Sequence, residues 1–226
     1  MRTTRNLLNG ETLVIDVPGA DALPEPAAVS VLARDGTELE LTSGRQVHLE
    51  HYLSASGTRL THEVQLRDGT TLRHGRYGGD PDRGLAFSAR VGDHEVYGFT
   101  VPTPDLEGLT AVLSHVDLVA DPDGPALTPT GPVAWSCHRT HDVAQVVHLG
   151  PSRILLDVRR TRSGTTRPSG PGLDVRGGRL SRSAEDERVH YAVLETPSFV
   201  VYGIPGLEAD VDAVSTTLST VTAELG

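Results

Sequence analysis

The chain has 226 residues, with 30 acidic side chains against 20 from lysine and arginine, and a formal net charge of -10 at pH 7. All 20 of those basic residues are arginines, which excludes Schiff-base catalysis and a P-loop, because both need a lysine. The single cysteine, Cys137, excludes an intramolecular disulfide and any multi-cysteine metal site. The acidic balance also disfavours nucleic-acid or membrane binding as a property of the whole surface.

The sequence lacks targeting and cofactor motifs of the common kinds. The first 26 residues have no apolar core of signal-peptide length, and no stretch approaches the ~18 apolar residues of a membrane span. Together with the lone thiol, this predicts a cytoplasmic protein. Neither Gly-x-Ser-x-Gly nor Gly-x-Gly-x-x-Gly occurs, so the sequence predicts no nucleophile elbow, no dinucleotide site and no cofactor.

Alternating apolar and polar residues dominate the first half of the chain, and turn signals such as Asp68-Gly69 separate the stretches. The pattern predicts strands at residues 27–33, 38–41, 47–53, 60–67, 71–76, 85–91 and 95–101. In the strand at 47–53, a period of two places His51 on the core face and both His48 and Glu50 on the opposite face.

An internal repeat follows from the segments that begin at His94 and Phe199. At an offset of 105 residues, Tyr97 falls on Tyr202, and the apolar positions after it match as well. Their 3-4-3 spacing predicts amphipathic helices at about residues 103–118 and 206–225. Backwards, with small insertions, the match extends to Leu49 and Leu156 at an offset of 107.

These features predict an α+β fold made by tandem duplication of a unit of about 105 residues. Each unit is expected to be a mainly antiparallel β-sheet, or a small roll or barrel, closed by its C-terminal amphipathic helix. The first repeat covers residues 1–118, a proline-rich linker covers 119–131, and the second repeat covers 132–226. We expect the two repeats to pack as a pseudo-twofold dimer.

Histidine and glutamate residues are the candidates for catalysis. His48 and Glu50, as neighbours on one strand face, could act as a general base and its orienting group, or form a solvated pair. His138 and His141 have His-x-x-His spacing, which is weak evidence for a metal because zinc needs a third protein ligand. The sequence therefore predicts no metal site, and it leaves these four residues as the candidates for acid–base chemistry.

The strongest local anomaly is a basic run at residues 159–182, which holds seven arginines and one acid, a net charge of +6. The first copy has no equivalent run. Its glycine, serine, threonine and proline content predicts a hairpin loop that binds phosphates or an acidic partner, or a loop whose arginines pair with the acidic remainder. The candidate binding residues are Arg159, Arg160, Arg162, Arg167, Arg176, Arg179 and Arg182.

Two functions remain open from the sequence. The first is a non-enzymatic binding or accessory protein, chaperone-like or of the immunity type, that uses the cleft between two related halves and the arginine-rich hairpin. It implies a protein partner. The alternative is a small-molecule acid–base enzyme with an asymmetric histidine-containing pocket between the halves.

Overall fold

The computed structural model describes residues 1–6, 11–34, 37–66, 68–100, 104–119, 126–130, 136–161, 172–186, 189–206 and 209–226. The α-helices are α1 (Gln46–Ser56), α2 (Leu106–Leu113) and α3 (Val211–Leu218). Two 3-10 helices cover Tyr77–Gly79 and Pro81–Arg83. The strands are β1 (Arg2–Asn6), β2 (Thr12–Asp16), β3 (Ala27–Arg34), β4 (Thr37–Gly44), β5 (His62–Gln65), β6 (Thr71–Arg76), β7 (Leu85–Val91), β8 (His94–Phe99), β9 (Val116–Val119), β10 (Ala126–Pro129), β11 (Ser136–Leu149), β12 (Ser152–Arg160), β13 (Leu173–Val175), β14 (Gly178–Asp186), β15 (Val189–Glu195), β16 (Phe199–Pro205) and β17 (Thr222–Leu225). Mainly antiparallel sheet with few helices confirms the predicted α+β class.

The chain divides into two compact units. The continuous unit is Ala27–Thr140, and the split unit combines Met1–Pro26 with His141–Gly226. The division falls inside β11. Part of the predicted linker at 119–131 is strand β10, which pairs with β9. The boundaries of the two sequence repeats stay a prediction, because a compact unit need not coincide with a repeat.

The continuous unit is built on an antiparallel sheet in the order β3-β4-β8-β7-β6-β5. Strand alternation sends Phe87 and Val96 to one face, where they form a core with Leu109 of α2. The next residue on β8, Tyr97, lies on the other face and packs against Tyr52 of α1, with ring centroids 5.2 Å apart. The two helices therefore cover opposite faces of this sheet.

The split unit has a sheet in the order β11-β12-β16-β15-β14-β13 and a smaller sheet in the order β1-β2-β17. Val214 and Leu218 of α3 lie in one buried cluster with Leu13 and Ile15 of β2. The N-terminal strand β2 also pairs antiparallel with β17, the last strand of the chain. Both ends of the chain therefore complete the same core.

The strand predicted at residues 47–53 is wrong, because this segment belongs to helix α1. Its residues include leucine, glutamate and alanine, which favour helix, and Gly57 ends it in the left-handed conformation with φ of 62°. The sequence pattern of this segment fits the period of a helix as well as that of a strand. In the helix, His48, Leu49 and His51 are all buried. The prediction that His51 lies on one strand face and both His48 and Glu50 on the other is therefore wrong as well.

The two predicted C-terminal helices are present but shorter than expected. Both α2 and α3 have eight residues, and each begins after an aspartate, Asp105 or Asp210, whose side chain accepts from a backbone N–H three residues on. Strands β9 and β17 follow where helix was predicted. In α3, hydroxyls such as that of Thr217 donate to carbonyls one turn earlier, which weakens the helix locally.

The backward extension of the repeat alignment is wrong at Leu49 and Leu156. Leu49 lies in helix α1, whereas Leu156 lies in strand β12. Strand register instead places Thr42 beside Tyr97 and Asp157 beside Tyr202. The forward alignment at an offset of 105 agrees with α2 and α3, whose first residues are 105 positions apart.

Of the helices in the described ranges, none has the length and apolarity needed to cross a membrane.

Candidate functional sites

The structure does not bring the proposed acid–base pair together. His48 is fully buried in α1, whereas Glu50 is exposed and accepts a hydrogen bond from Gln46 Nε2 at 2.9 Å. Residues two positions apart point to nearly opposite sides of a helix. His138 and His141 lie in β11, and their side chains fall outside the described part of the chain, so their role stays a prediction.

Arg159 and Arg160 hold strands of the split unit together through a shared buried carboxylate, that of Asp142. The Arg159 guanidinium lies 3.7 Å from one Asp142 oxygen and donates to Asp157 Oδ1 at 2.7 Å. The backbone N–H of Arg160 donates to Asp142 Oδ1 at 2.9 Å, and its guanidinium lies 3.4 Å from Glu11. This agrees with the interpretation in which the arginines pair with acidic residues of the same chain.

Three other candidate arginines, Arg176, Arg179 and Arg182, lie on or near the β13–β14 hairpin, outside the core. Arg176 lies 3.2 Å from Asp16, and Arg182 lies 2.6 Å from Asp212 at the start of α3. Arg179 is exposed on β14. Two more candidates, Arg162 and Arg167, lie outside the described residues.

The same hairpin carries an exposed leucine. Leu173 on β13 is 68% exposed, the largest value among the large hydrophobic side chains of the described residues. Its cross-strand partner Leu180 packs against the core of the split unit. Within the described sheet, β13 is a terminal strand and pairs with β14 alone.

Sequence reasoning missed an open pocket of about 840 Å³ in the continuous unit. The pocket lies between the segment that follows α1, strand β6, the second 3-10 helix and the start of α2. Its charged or titratable lining residues are Arg59, His62, His74, Arg76, Asp82, Asp105 and Glu107. These residues come from four separate places in the sequence, so no local motif marks the pocket.

Two histidines form one part of the pocket wall. The β5–β6 hairpin pairs His62 with His74 in register, and their rings stack with centroids 5.4 Å apart. Partial burial lowers the pKa of His74 below its usual value of 6.5, and the neighbouring His62 and Arg76 lower it further. A sequence signal for this pair did exist, because a turn at Asp68-Gly69 brings these two strands together in a hairpin.

Glycines let the backbone segments around the pocket approach each other. A Cβ atom on Gly75 would lie 2.0 Å from the carbonyl oxygen of Arg59. A Cβ atom on Gly84 would lie 1.9 Å from the carbonyl oxygen of Thr100, and Gly84 has a φ of 87° that favours glycine. Both positions therefore need glycine to keep the walls where they are.

The opposite face of this sheet carries a buried polar network and an aromatic cluster. Arg73 Nη2 donates to both oxygens of Glu95 at 2.9 Å, and Ser88 Oγ donates to Glu95 Oε2 at 2.5 Å. Burial raises the pKa of the Tyr52 phenol well above its ordinary value, with smaller contributions from Tyr77 and Tyr97. These groups fix β6, β7 and β8 beside the pocket.

In the described ranges, no three or more histidine, cysteine, aspartate or glutamate side chains are grouped as metal ligands. Comparison with protein-family models, with curated proteins and with solved structures gave no match.

Proposed function

We propose that this chain is a non-enzymatic binding protein that captures an acidic protein partner through the β13–β14 hairpin of the split unit. The observation that carries this proposal is Leu173, which is 68% exposed on a terminal strand beside arginines. Arginine is enriched in protein interfaces, and the centres of interfaces bury apolar side chains. The hairpin therefore combines an apolar anchor with groups that attract carboxylates.

The terminal strand supports an extended segment as the bound part of the partner. Strand β13 pairs with β14 on one side, and within the described sheet no strand pairs with its other side. Such an edge presents backbone donors and acceptors to an added strand. A partner strand here would place its own apolar residue against Leu173.

The charges support an acidic partner. The side chains of Arg176 and Arg182 are 54% and 55% exposed, so their ion pairs with Asp16 and Asp212 are largely solvated. Exposed ion pairs contribute only about 0–1 kcal/mol, and a partner carboxylate can replace them at little cost. Arg159 and Arg160, which bind a buried carboxylate, serve the fold in this proposal.

The proposal includes a tandem duplication of one fold. Both sheets have the same antiparallel strand order, with β3 corresponding to β11, β4 to β12 and β5 to β13. The capped helices α2 and α3 start 105 residues apart and each leads into a strand, β9 or β17. In the first copy, helix α1 lies between β4 and β5. The hairpin that carries Leu173 is the specialised part of the second copy.

The test is affinity capture from the native host with the full chain as bait, followed by mass spectrometry. Leu173→Asp and Arg179→Glu should each lower recovery of the same acidic protein at least about tenfold, since about 1.4 kcal/mol is tenfold in affinity. Arg90→Glu is the matched control, because Arg90 is an exposed arginine on β7 of the continuous unit. The proposal is refuted if every protein captured by the wild type binds both hairpin variants equally well.

A further inference from the structure

We propose that the pocket of the continuous unit binds a small zwitterion, a molecule with an anionic group at one end and an ammonium group at the other. This inference is independent of the proposed hairpin function. The pocket has a volume of about 840 Å³, within the range of roughly 300–1,000 Å³ typical of small-molecule sites. It lies entirely within one compact unit.

The basic and the acidic groups of the pocket come from different stretches of sequence. Arg59 and Arg76, with the stacked histidines between them in sequence, come from the segment after α1 and from the β5–β6 hairpin. Asp82, Asp105 and Glu107 come from the second 3-10 helix and the start of α2. Basic and acidic groups thus belong to different structural elements around the pocket.

These opposite charges do not neutralise each other. Among the described residues, neither Arg59 nor Arg76 lies within 4.0 Å of a carboxylate oxygen, and the same holds for Asp82 and Glu107 with respect to basic groups. The arginines and the carboxylates of this pocket are therefore more than 4.0 Å apart. A ligand that spans this distance can bind both.

The pocket lining carries charges of both signs, and this explains why a ligand with a single charge is not enough. Two guanidinium groups and three carboxylates line the same space, so a simple anion meets repulsion from the acidic groups and a simple cation meets it from the arginines. A zwitterion aligned between them is attracted at both ends. Its anionic group suits the planar fork of a guanidinium, and its ammonium group donates to carboxylates.

Part of the pocket lining suits the carbon chain that joins the two charges. Leu85 and Leu106 line the pocket together with the glycine backbones of Gly75 and Gly84. These groups offer apolar surface and no further charge. The ligand class is therefore an amino-acid-like molecule whose charged ends are joined by a short aliphatic segment.

The proposal is tested by titrating the full chain with unbranched ω-amino acids, from β-alanine to 8-aminooctanoate, and following backbone amide signals by NMR. We expect affinity to peak at one chain length, because the fold holds the arginines and the carboxylates of the pocket on different structural elements. Hexanoate and hexylamine, each with one charge, are the controls. They should bind at least about tenfold more weakly than the best zwitterion, a difference of about 1.4 kcal/mol.

Charge-removing variants assign the two ends. Arg76→Gln should reduce binding of the best ω-amino acid while leaving hexylamine unaffected or bound more tightly. Glu107→Gln should reduce binding of the same zwitterion, while hexanoate should bind equally well or more tightly. Arg90→Gln and Glu38→Gln are matched exposed controls outside the pocket and should change nothing.

Two results would overturn the proposal. One is equal affinity for the best zwitterion and for either single-charge analogue. The other is that no member of the series, at millimolar concentration, shifts the amide signals of residues 57–62 and 74–84. Neither result bears on the hairpin, which lies in the split unit and is tested by protein capture.

Discussion

Glu95→Ala should destabilise the continuous unit, because Glu95 is the buried centre of the network that joins β6, β7 and β8. Its side chain is 7% exposed, and both of its oxygens accept from Arg73, whose side chain is 38% exposed. Removing one partner of a buried ion pair costs about 3–5 kcal/mol, but the half-exposed guanidinium regains water. We therefore expect a loss of free energy of unfolding of about 2–3 kcal/mol, which is below that range.

Native-state hydrogen exchange of the β7 and β8 amides is the appropriate assay, because it reports local opening whether or not the two units unfold together. A double-mutant cycle with Arg73→Ala isolates the pairing. In the Arg73→Ala background, Glu95→Ala should lower the free energy of unfolding by at least about 1 kcal/mol less than it does in the wild type. The reason is that residues in contact couple by about 0.5–3 kcal/mol. Strictly additive costs would refute the reasoning, because the guanidinium would then contribute nothing through Glu95. Thr4→Ala, an exposed change on β1, is the control.

Three further predictions follow from burial and titration. Ile15→Ala should lower the free energy of unfolding of the split unit by about 2–5 kcal/mol, because Ile15 is 1% exposed in its core; denaturant unfolding measures this, and an unchanged midpoint would contradict it. The raised pKa of Tyr52 means that one tyrosine should remain protonated well above pH 10.0 in an absorbance titration, and that folding should lose stability as pH rises beyond that value; a normal titration of all five tyrosines would count against it. Because the pKa of His74 is lowered in the folded state, the unfolded chain binds the proton more readily, and stability should fall as pH drops below 6.5. Thermal melts should show a smaller fall in His74→Gln. An identical fall in this variant would exclude His74 as the source.

The strands that lie between strong turn signals could be predicted from the sequence almost residue by residue. Strands β6 and β7 have the predicted bounds, because Asp68-Gly69 and Gly92-Asp93 delimit clear period-two patterns. The segment at 47–53 could not be decided in this way, since its apolar residues fit a strand face as well as a helix face. In the structure, Tyr52 of this helix packs against Tyr97, which is far away in sequence, and a local pattern carries no information about such a contact.

The candidate sites were harder to predict than the strands. The basic run was visible from composition, but its division into arginines that hold the fold and arginines exposed on a hairpin depends on tertiary contacts with Asp142, Asp157 and Glu11. The pocket depends on residues between positions 57 and 107. Only the register of the β5–β6 hairpin, which pairs His62 with His74, was within reach of local reasoning.

The proposed duplication relates the pocket of the continuous unit to an ion pair of the split unit. Strand register equates Leu72 on β6 with Leu180 on β14, so His74 corresponds to Arg182. The helix offset of 105 equates Glu107 with Asp212.

In the split unit these two positions form the Arg182–Asp212 ion pair at 2.6 Å, and in the continuous unit the equivalent side chains line an open pocket. His74→Arg should therefore place a guanidinium within reach of Glu107 and occupy the pocket from inside. We expect this variant to lose ω-amino-acid binding while its thermal stability stays within about 1 kcal/mol of the wild type, the range of exposed ion pairs. His74→Gln is the matched control, because its shorter neutral side chain cannot pair with Glu107 and should leave the ligand's site open. Full retention of binding in His74→Arg would mean that the two positions are not equivalent, and the correspondence between the units would then fail at the pocket.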